Sequence, residues 1–229
     1  MKLSRTASRM VKAKAIAMAI AIATVPAIAM TIAAVALVPL ARAGEGAGGP
    51  LALGSRAPLA TTKMKNVDGK LVSIADVGGK AGTLVVFTCN HCPFAKAWEG
   101  RIAELGNTYS KQGFGVILIN ANDPAKYPED GWAEMQARTR SRGLQVPYVV
   151  DETSGVARAF GATVTPEAFL FDKHGRLAYH GTIDDNHQDP SKVQSRFLKD
   201  ALDAVLAGKA PPRPETKSLG CGIKFRTPS

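Results

Sequence analysis

Apolar positions along the chain follow two alternating patterns, which together predict an α/β fold. Short unbroken apolar runs are typical of strands that are covered on both faces of a sheet. Apolar residues three and four positions apart, as in residues 93–111, are typical of helices with one buried face. In chain order the patterns predict strands at residues 83–88, 114–120, 146–150, 168–171 and 177–183, and helices at residues 93–111, 132–142, 154–160 and 191–206.

A β-hairpin is predicted ahead of the first long strand. Residues 61–67 and 70–74 flank Asp68-Gly69, a pair that favours a two-residue turn between antiparallel strands. Residues 172–175 similarly connect the last two strands. This order of elements favours a central sheet with both parallel and antiparallel pairs, flanked by helices.

Residues 1–43 have the composition of an export signal. Residues 1–14 are basic, residues 15–40 carry no charge, and Ala41-Arg42-Ala43 fits the small-x-small cleavage pattern. The uncharged stretch is longer than a typical signal core of about 7–15 residues. About 20 apolar residues can span a bilayer, so an uncleaved N-terminal membrane anchor stays open as an alternative. Both interpretations place the rest of the chain in the periplasm or another extracytoplasmic compartment.

The chain divides into four parts by composition. A Gly/Ala-rich linker follows the N-terminal segment, and a proline-rich tail follows the last predicted helix. The four parts are residues 1–43 as signal peptide or N-terminal membrane anchor, residues 44–52 as linker, residues 53–208 as the folded domain, and residues 209–229 as a C-terminal tail that carries Cys221.

Positive charge is concentrated at the N-terminus. The net charge of the chain is +10, and residues 1–43 contain six Lys or Arg and no acidic residue. The remainder has 23 basic and 19 acidic residues, a net charge of only +4. Its basic residues are scattered and are not interleaved with aromatic side chains, as base stacking would require. Nucleic acid is therefore not expected as a partner.

Two cysteines stand where the first long strand meets the first helix. Cys89 and Cys92 have the spacing C-x-x-C, which allows two sulfurs to close and reopen a disulfide, and Pro93 suits the first turn of a helix. Backbone N–H groups and the positive end of the helix dipole favour a thiolate there, and we predict that they do so at Cys89. A permanent structural disulfide is disfavoured, because a bridge that closes so short a loop adds little stability.

Cys221 is the third and last cysteine of the chain. Three cysteines are too few for a disulfide-stapled scaffold. No second C-x-x-C or pair of histidines completes a zinc site, and we expect neither a cofactor nor a resident metal. Two interpretations of Cys221 stay open: a small apolar side chain that packs the tail, or a third redox thiol or cap close to Cys89.

A strand, the C-x-x-C pair, a helix and a Thr-Pro step before a hairpin together resemble the thioredoxin fold. Within that fold the chain is similar to the AhpC/TSA-like redoxins, which include exported thiol–disulfide oxidoreductases and peroxiredoxins. The resemblance covers residues 53–226. It rests on residues 54–58, Asp68-Gly69-Lys70, Gly79-Lys80, residues 87–94, residues 120–124, Thr165-Pro166 and Gly220-Cys221.

The resemblance implies roles for the residues of the motif. Cys89 would be the attacking thiolate and Cys92 the resolving thiol. Pro166 would be a cis-proline that brings the Thr165 backbone beside the disulfide, where a partner peptide can pair with it. His91 is similar to the histidine of protein disulfide isomerase and the periplasmic oxidants. A cationic imidazole would stabilise the thiolate and shift the potential toward about −180 or −120 mV, rather than about −270 mV.

One feature of thioredoxin has no obvious counterpart in the sequence. Thioredoxin has a buried carboxylate near its cysteines, whereas residues 82–88 contain no acidic residue. Glu99, two helical turns beyond Cys92, is the candidate for proton transfer to that thiol.

Three functions remain. The first is a thiol–disulfide oxidoreductase of the cell envelope, which exchanges disulfides with protein thiols or disulfides and with an unidentified redox partner. The second is a peroxiredoxin-like peroxidase, although Val86 and Cys89 stand where the motif P-x-x-x-T-x-x-C would place threonine. The third is a Cu(I)-binding module that uses Cys89, Cys92 and either His180 or His187.

Overall fold

The computed structural model describes residues 49–227, which form an α/β domain around a seven-stranded sheet. The predicted signal peptide or anchor and residues 44–48 of the predicted linker lie outside the described residues. Within residues 49–227, no helix combines the length and apolar character that a membrane crossing requires. The strands are β1 (Met64–Asn66), β2 (Leu71–Val72), β3 (Gly82–Phe87), β4 (Phe114–Asn120), β5 (Tyr148–Val150), β6 (Val164–Thr165), β7 (Glu167–Asp172), β8 (Leu177–Gly181) and β9 (Cys221–Gly222), and the helices are α1 (Pro93–Ser110), α2 (Trp132–Ser141), α3 (Gly155–Phe160) and α4 (Phe197–Leu206).

The sheet is mixed, and β3 is an interior strand that lies between β4 and β7. The strand order is β2-β1-β5-β4-β3-β7-β8, while β6 and β9 form a separate two-stranded pair. β3 pairs in parallel with β4 and antiparallel with β7, which confirms the predicted combination of both kinds of pairing. Successive side chains of a strand point to opposite faces. Leu84 and Val86 therefore enter one core, and Val85 and Phe87 enter the other, which explains the unbroken apolar run.

Helices cover both faces of the sheet. α1, α2 and α4 pack on one face, where they bury Trp98, Met135 and Leu202. α3 packs on the opposite face through Phe160, and the C-terminal tail joins that face through Ile223. Both faces of β3 are thus covered by packed layers.

The predicted hairpin is present but shorter than the sequence suggested. β1 and β2 pair antiparallel, and Gly69 adopts a φ of +87° in the turn, as the Asp68-Gly69 pair predicts. β1 also pairs antiparallel with β5. The hairpin is therefore an N-terminal extension of the main sheet, as predicted.

The last helix begins six residues later than predicted. α4 starts at Phe197, whereas the amphipathic pattern predicted a start at residue 191. The backbone N–H groups of Gln194 and Ser195 donate to the Asp185 carboxylate at 3.0 and 2.9 Å. Because these contacts satisfy the backbone in a loop, the segment does not continue as a helix.

Gly115 in β4 lies directly against a neighbouring backbone, and this predicts a large effect of a single methyl group. A Cβ at Gly115 would lie 1.9 Å from the carbonyl oxygen of Val77. Gly115→Ala is therefore expected to lower the free energy of unfolding by about 1–3 kcal/mol, measured by urea denaturation. Gly100→Ala in α1 is the matched control. Nothing lies within 4 Å of its added methyl, so it should stabilise the protein by about 0.5–1 kcal/mol. Equal stability of the two variants would contradict this packing.

Candidate active site

The two thiols of the C-x-x-C motif lie in the turn between β3 and α1. The Thr88 N–H donates to the Ile119 carbonyl oxygen at 2.9 Å, which carries the sheet pairing one residue past β3. α1 begins at Pro93, so Cys92 is its N-cap residue. Both thiols are free, and Cys89 is 5% exposed whereas Cys92 is 0% exposed. Cys89 is therefore the sulfur that an external group reaches first.

Thr165 contacts both thiols from the opposite side of the site. Cys89 Sγ lies 3.0 Å from Thr165 Oγ1, and the Cys92 thiol donates to the Thr165 carbonyl oxygen at 3.1 Å. The peptide bond between Thr165 and Pro166 is cis, the geometry that the resemblance implies. The structure thus brings the Thr-Pro step to the cysteine pair, although the two are far apart in sequence.

Hydrogen bonding between the two thiols couples their ionisation. The bond to Cys89 lowers the pKa of Cys92 below the ordinary thiol value, and the Cys221 thiol and the Ala95 N–H lower it further against the cost of burial. The same bond, followed by burial and by the charge of Asp130, raises the pKa of Cys89. Two thiols that share a proton in this way have a first ionisation that belongs to the pair.

The helix N-terminus lies at Cys92. α1 begins at Pro93, as predicted, which makes Cys92 the N-cap residue and leaves Cys89 three residues before it. The positive end of a helix dipole acts only within its first turn. The Ala95 N–H, which lies in that turn, is one of the groups that lower the pKa of Cys92. The thiolate predicted at Cys89 stays a prediction.

Asp130 is a buried carboxylate that organises the residues between the two cysteines. It is the last residue of a short 3₁₀ helix, Pro128–Asp130, ahead of α2 and is 1% exposed. One oxygen accepts from the N–H groups of Asn90 and His91, at 2.6 and 3.2 Å. The other accepts from His91 Nδ1 at 2.5 Å and from Asn122 Nδ2 at 2.8 Å. A buried charge is tolerated when its lone pairs are satisfied in this way.

Glu99, the candidate from the sequence for proton transfer at Cys92, is engaged elsewhere. Its carboxylate forms ion pairs with Nε of Arg138 at 3.3 Å and with Nε of Arg142 at 2.8 Å. Glu99 thus connects α1 to α2. The acidic group that contacts the C-x-x-C motif is Asp130.

Aromatic and polar side chains fix the orientation of the Asn90-His91 step. The His91 ring stacks on Tyr127, with ring centroids 3.9 Å apart. The Tyr148 hydroxyl donates to Asn90 Oδ1 at 3.0 Å, and the Arg138 guanidinium donates to the Asn90 carbonyl oxygen at 3.1 Å. The orientation of Asn90 and His91 is therefore fixed by contacts within the protein.

Cys221 reaches this site through the C-terminal tail. β9 pairs antiparallel with β6, with Cys221 opposite Thr165 and Gly222 opposite Val164. Cys221 packs against the cluster formed by Cys89, Cys92 and Ala95. Burial and then the hydrogen bond to Cys92 raise the pKa of Cys221 to about 11. The structure shows Cys221 packed beside Cys89 and Cys92, and whether it acts as a redox thiol stays a prediction.

One group of potential metal ligands lies at the site. Ligand atoms of Cys89, His91 and Asp130 all lie within 4.8 Å of one another. The histidines proposed for copper binding are occupied elsewhere, since His180 Nε2 lies 2.7 Å from a Glu167 oxygen and His187 packs on the ring of Phe94. The histidine within this group of potential ligands is His91.

Several site residues were missed by the sequence analysis. Asp130, Tyr127 and Tyr148 come from loops and strands far from the cysteines, and only the folded chain brings them together. Asn122 was within reach, because residues 120–124 were among the segments that carried the resemblance. No local pattern distinguishes Asp130 from its exposed neighbour Glu129.

Comparison with known proteins gives one family, and the curated relatives include proteins named ResA. Residues 53–180 match the AhpC/TSA family. Thiol-disulfide oxidoreductase ResA of Halalkalibacterium halodurans is 25% identical over 114 residues, which are 50% of this chain and 60% of that protein. The match thus spans about 60% of the length of this curated relative.

Solved structures agree with the fold. A hypothetical protein from Sinorhizobium meliloti is 34% identical, with a TM-score of 0.72 over 78% of this chain and 97% of that one. A thioredoxin-like protein in its oxidised form is 19% identical, with a TM-score of 0.57 over 69% of this chain and 99% of that one, and shows the fold alone. Since more than half of its residues match one family and its sheet matches this fold, the chain belongs to the AhpC/TSA family and is a thioredoxin-fold redoxin.

Proposed function

We propose that the protein is a thiol–disulfide oxidoreductase that acts through Cys89 and Cys92. The observation that carries this proposal is the pair of free thiols, which pack in one cluster and both contact Thr165, beside a cis-proline. A permanent structural disulfide would not require these contacts, because its two cysteines would not be present as free thiols. The name of the ResA relative supports the same chemistry.

The reaction follows from the order in which the two sulfurs are reached. The Cys89 thiolate attacks one sulfur of a substrate disulfide, forms a mixed disulfide and releases the other substrate sulfur as a thiolate that takes up a proton. The Cys92 thiolate then attacks Cys89 Sγ and expels the second substrate thiolate. The substrate gains two electrons and two protons, and the protein retains a Cys89–Cys92 disulfide. The reverse sequence oxidises a substrate dithiol.

Two groups near Cys92 support the second half of this reaction, in which a thiolate is the attacking form. The hydrogen bond from Cys89, the largest cause of the lowered pKa of Cys92, is lost when Cys89 enters the mixed disulfide, but the Cys221 thiol and the Ala95 N–H, which also lower that pKa, remain. Cys92 is fully buried beside Cys89, so its thiolate meets the mixed disulfide and not the solvent. His91 and Asp130 act as positioning residues, because their contacts fix the turn that holds both sulfurs.

Protein thiols or disulfides are the proposed substrates, and the cell envelope is the proposed location. The pattern of residues 1–43, with a basic stretch followed by an uncharged apolar stretch, supports export. In an oxidising compartment, a pair of thiols that can be reoxidised by a redox partner has a role in disulfide exchange. Whether residues 15–40 are removed or remain as an anchor does not alter the chemistry of the pair.

A turnover assay tests the proposal against its two alternatives. The purified protein is expected to accelerate the reduction of insulin disulfides by dithiothreitol and to consume hydrogen peroxide no faster than a Cys89→Ser variant does. Cu(I) titration against a competing chelator completes the comparison. Rapid peroxide consumption without disulfide exchange would establish the peroxidase, and tight Cu(I) binding without exchange would establish the copper module.

A further inference from the structure

The C-terminal tail is held on the domain at two places, one on each side of β9. Upstream of β9, the His180 N–H donates to the Pro214 carbonyl oxygen at 2.9 Å, and the Thr216 N–H donates to the His180 carbonyl oxygen at 3.0 Å. Downstream, the Asp123 N–H donates to the Lys224 carbonyl oxygen at 2.8 Å, and the Lys224 N–H donates to Asn122 Oδ1 at 2.7 Å. β9 lies between these anchors, and directly after it the buried Ile223 donates its N–H to the Thr163 carbonyl oxygen at 2.9 Å.

β9 lies on the backbone edge beside the thiols. It pairs with β6, the two residues that precede Pro166, and places Cys221 directly opposite Thr165. Thr165 is the residue that contacts both Cys89 and Cys92. Directly opposite residues of an antiparallel pair have Cβ atoms about 4.5–5.5 Å apart. An extended substrate segment that paired with Thr165 would therefore need the place that β9 occupies.

The three thiols lie close together. Cys221 packs against the cluster formed by Cys89, Cys92 and Ala95, and both Cys89 and Cys221 lower the pKa of Cys92. Cys221 is the most exposed of the three, since it is half-buried while the other two are buried. β9 therefore holds Cys221 beside Cys89 and Cys92 in the way that an extended substrate segment would hold a substrate cysteine.

We propose that β9 is an internal substrate of the redox pair: it covers the Thr165 edge, and in the oxidised protein Cys221 exchanges into a disulfide with Cys92. This inference rests on the proposed exchange activity of Cys89 and Cys92. The Cys221 thiolate attacks Cys92 Sγ, the Cys92–Cys221 bond forms, the Cys89–Cys92 bond breaks, and Cys89 leaves as a thiolate that takes the proton Cys221 gave up. The number of disulfides is unchanged, so no further oxidant is needed.

Gly220 provides a variant that removes β9 from the edge without changing any sulfur. A Cβ at Gly220 would lie 2.2 Å from the Thr165 carbonyl oxygen and 2.7 Å from its carbonyl carbon, so Gly220→Ala is expected to lift the strand. Gly222→Ala is the matched control in the same strand, because its Cβ would lie 3.9 Å from the nearest atom, the Thr163 carbonyl oxygen. Circular dichroism and thermal unfolding establish that both variants are folded.

The experiment has two readouts. The proteins are oxidised with excess oxidised glutathione, alkylated at low pH and mapped by mass spectrometry under non-reducing conditions. We expect a Cys92–Cys221 disulfide beside Cys89–Cys92 in the wild-type protein and in Gly222→Ala, and its loss in Gly220→Ala. The initial rate of reduction of a disulfide-bonded peptide is expected to rise about tenfold in Gly220→Ala, because the competing strand no longer has to open first.

Different outcomes separate this inference from the proposed function. If Gly220→Ala and Gly222→Ala exchange at the wild-type rate and only Cys89–Cys92 is found in all proteins, the internal-substrate proposal is overturned and the exchange activity stands. If the wild-type protein forms no disulfide at Cys89 and shows no exchange, the proposed function itself has failed. Mapping of the wild-type protein decides the disulfide question even where Gly220→Ala does not fold.

Discussion

Cys89→Ser is expected to reduce disulfide exchange to the background rate while leaving the fold intact. Cys89 is the more accessible of the two sulfurs in the C-x-x-C turn, and the mechanism begins with its attack on the substrate. A serine hydroxyl is not ionised at neutral pH and is not an attacking group in disulfide exchange. It can still hydrogen-bond to Thr165 Oγ1, as Cys89 Sγ does now. The insulin reduction assay measures the loss, and thermal unfolding reports on the fold.

Cys92→Ser is the matched variant, and its expected behaviour differs. With Cys89 present and the resolving thiol absent, the mixed disulfide with the substrate can form but is not cleared from within. Incubation with a disulfide-bonded peptide should then yield a stable covalent adduct, which intact mass spectrometry detects at Cys89. The double variant Cys92→Ser, Cys221→Ser should form the same adduct. An adduct that forms equally well in Cys89→Ser would show that Cys89 is not the attacking sulfur.

Asp130→Asn is expected to be the most destabilising conservative change at the site. The two oxygens of Asp130 accept four hydrogen bonds, from the N–H groups of Asn90 and His91, from His91 Nδ1 and from Asn122 Nδ2. An amide group retains one oxygen and turns its NH₂ toward donors that then have no acceptor. Leaving a buried polar group unpaired costs about 1–3 kcal/mol, and urea denaturation of the reduced protein should show a loss of that size.

The neighbouring acidic residue provides the control for Asp130. Glu129 is exposed, and only its backbone carbonyl oxygen takes part in the site, as the acceptor from Asn90 Nδ2 at 2.8 Å. Glu129→Gln should change the free energy of unfolding by less than about 0.5 kcal/mol. Asp130→Asn should also alter the reduction potential of the pair, which a purely structural residue distant from the thiols would not do. Equal stability of the two variants would mean that the hydrogen bonds of Asp130 do not support the turn.

The sequence was sufficient to predict the parts of the fold that follow from local pattern. The unbroken apolar run of β3 predicts a strand buried on both faces, and the periodic apolar residues of α1 predict a helix. A strand buried on both faces needs helices on each side of the sheet, so the two patterns together predict an α/β fold. The turn at Asp68-Gly69 was also predictable from the residue pair alone. The start of α4 was wrong because the Asp185 carboxylate, a partner outside the pattern, satisfies the preceding backbone.

The candidate site was predictable only where its residues are adjacent in sequence or where the resemblance supplied them. Cys89, His91, Cys92, Thr165 and Pro166 were chosen in that way, and the structure places them together, with their roles still predictions. Asp130 had no such signal. It lies 40 residues beyond Asn90 in the sequence, and only the fold brings its carboxylate against the C-x-x-C motif.

The pairing of β6 with β9 was the other feature without a local signal. Both strands are two residues long, and neither has an alternating pattern that a sequence could display. The sequence raised Cys221 as a third thiol or a packing residue but could not choose its neighbour. The structure places it opposite Thr165 and beside Cys92, and this contact makes the tail part of the site.

The redox equilibrium of the Cys89–Cys92 pair in glutathione buffers is the most direct test of the central claim. The protein is equilibrated at a series of potentials and alkylated, and each disulfide is quantified by mass spectrometry, with Cys221→Ser in parallel. We predict one two-electron transition at a potential more oxidising than about −270 mV, because the thiolate and therefore the reduced form are stabilised by hydrogen bonds. Thiols that stay reduced in every buffer, or a disulfide with a potential below about −300 mV as in permanent structural bridges, would contradict the claim.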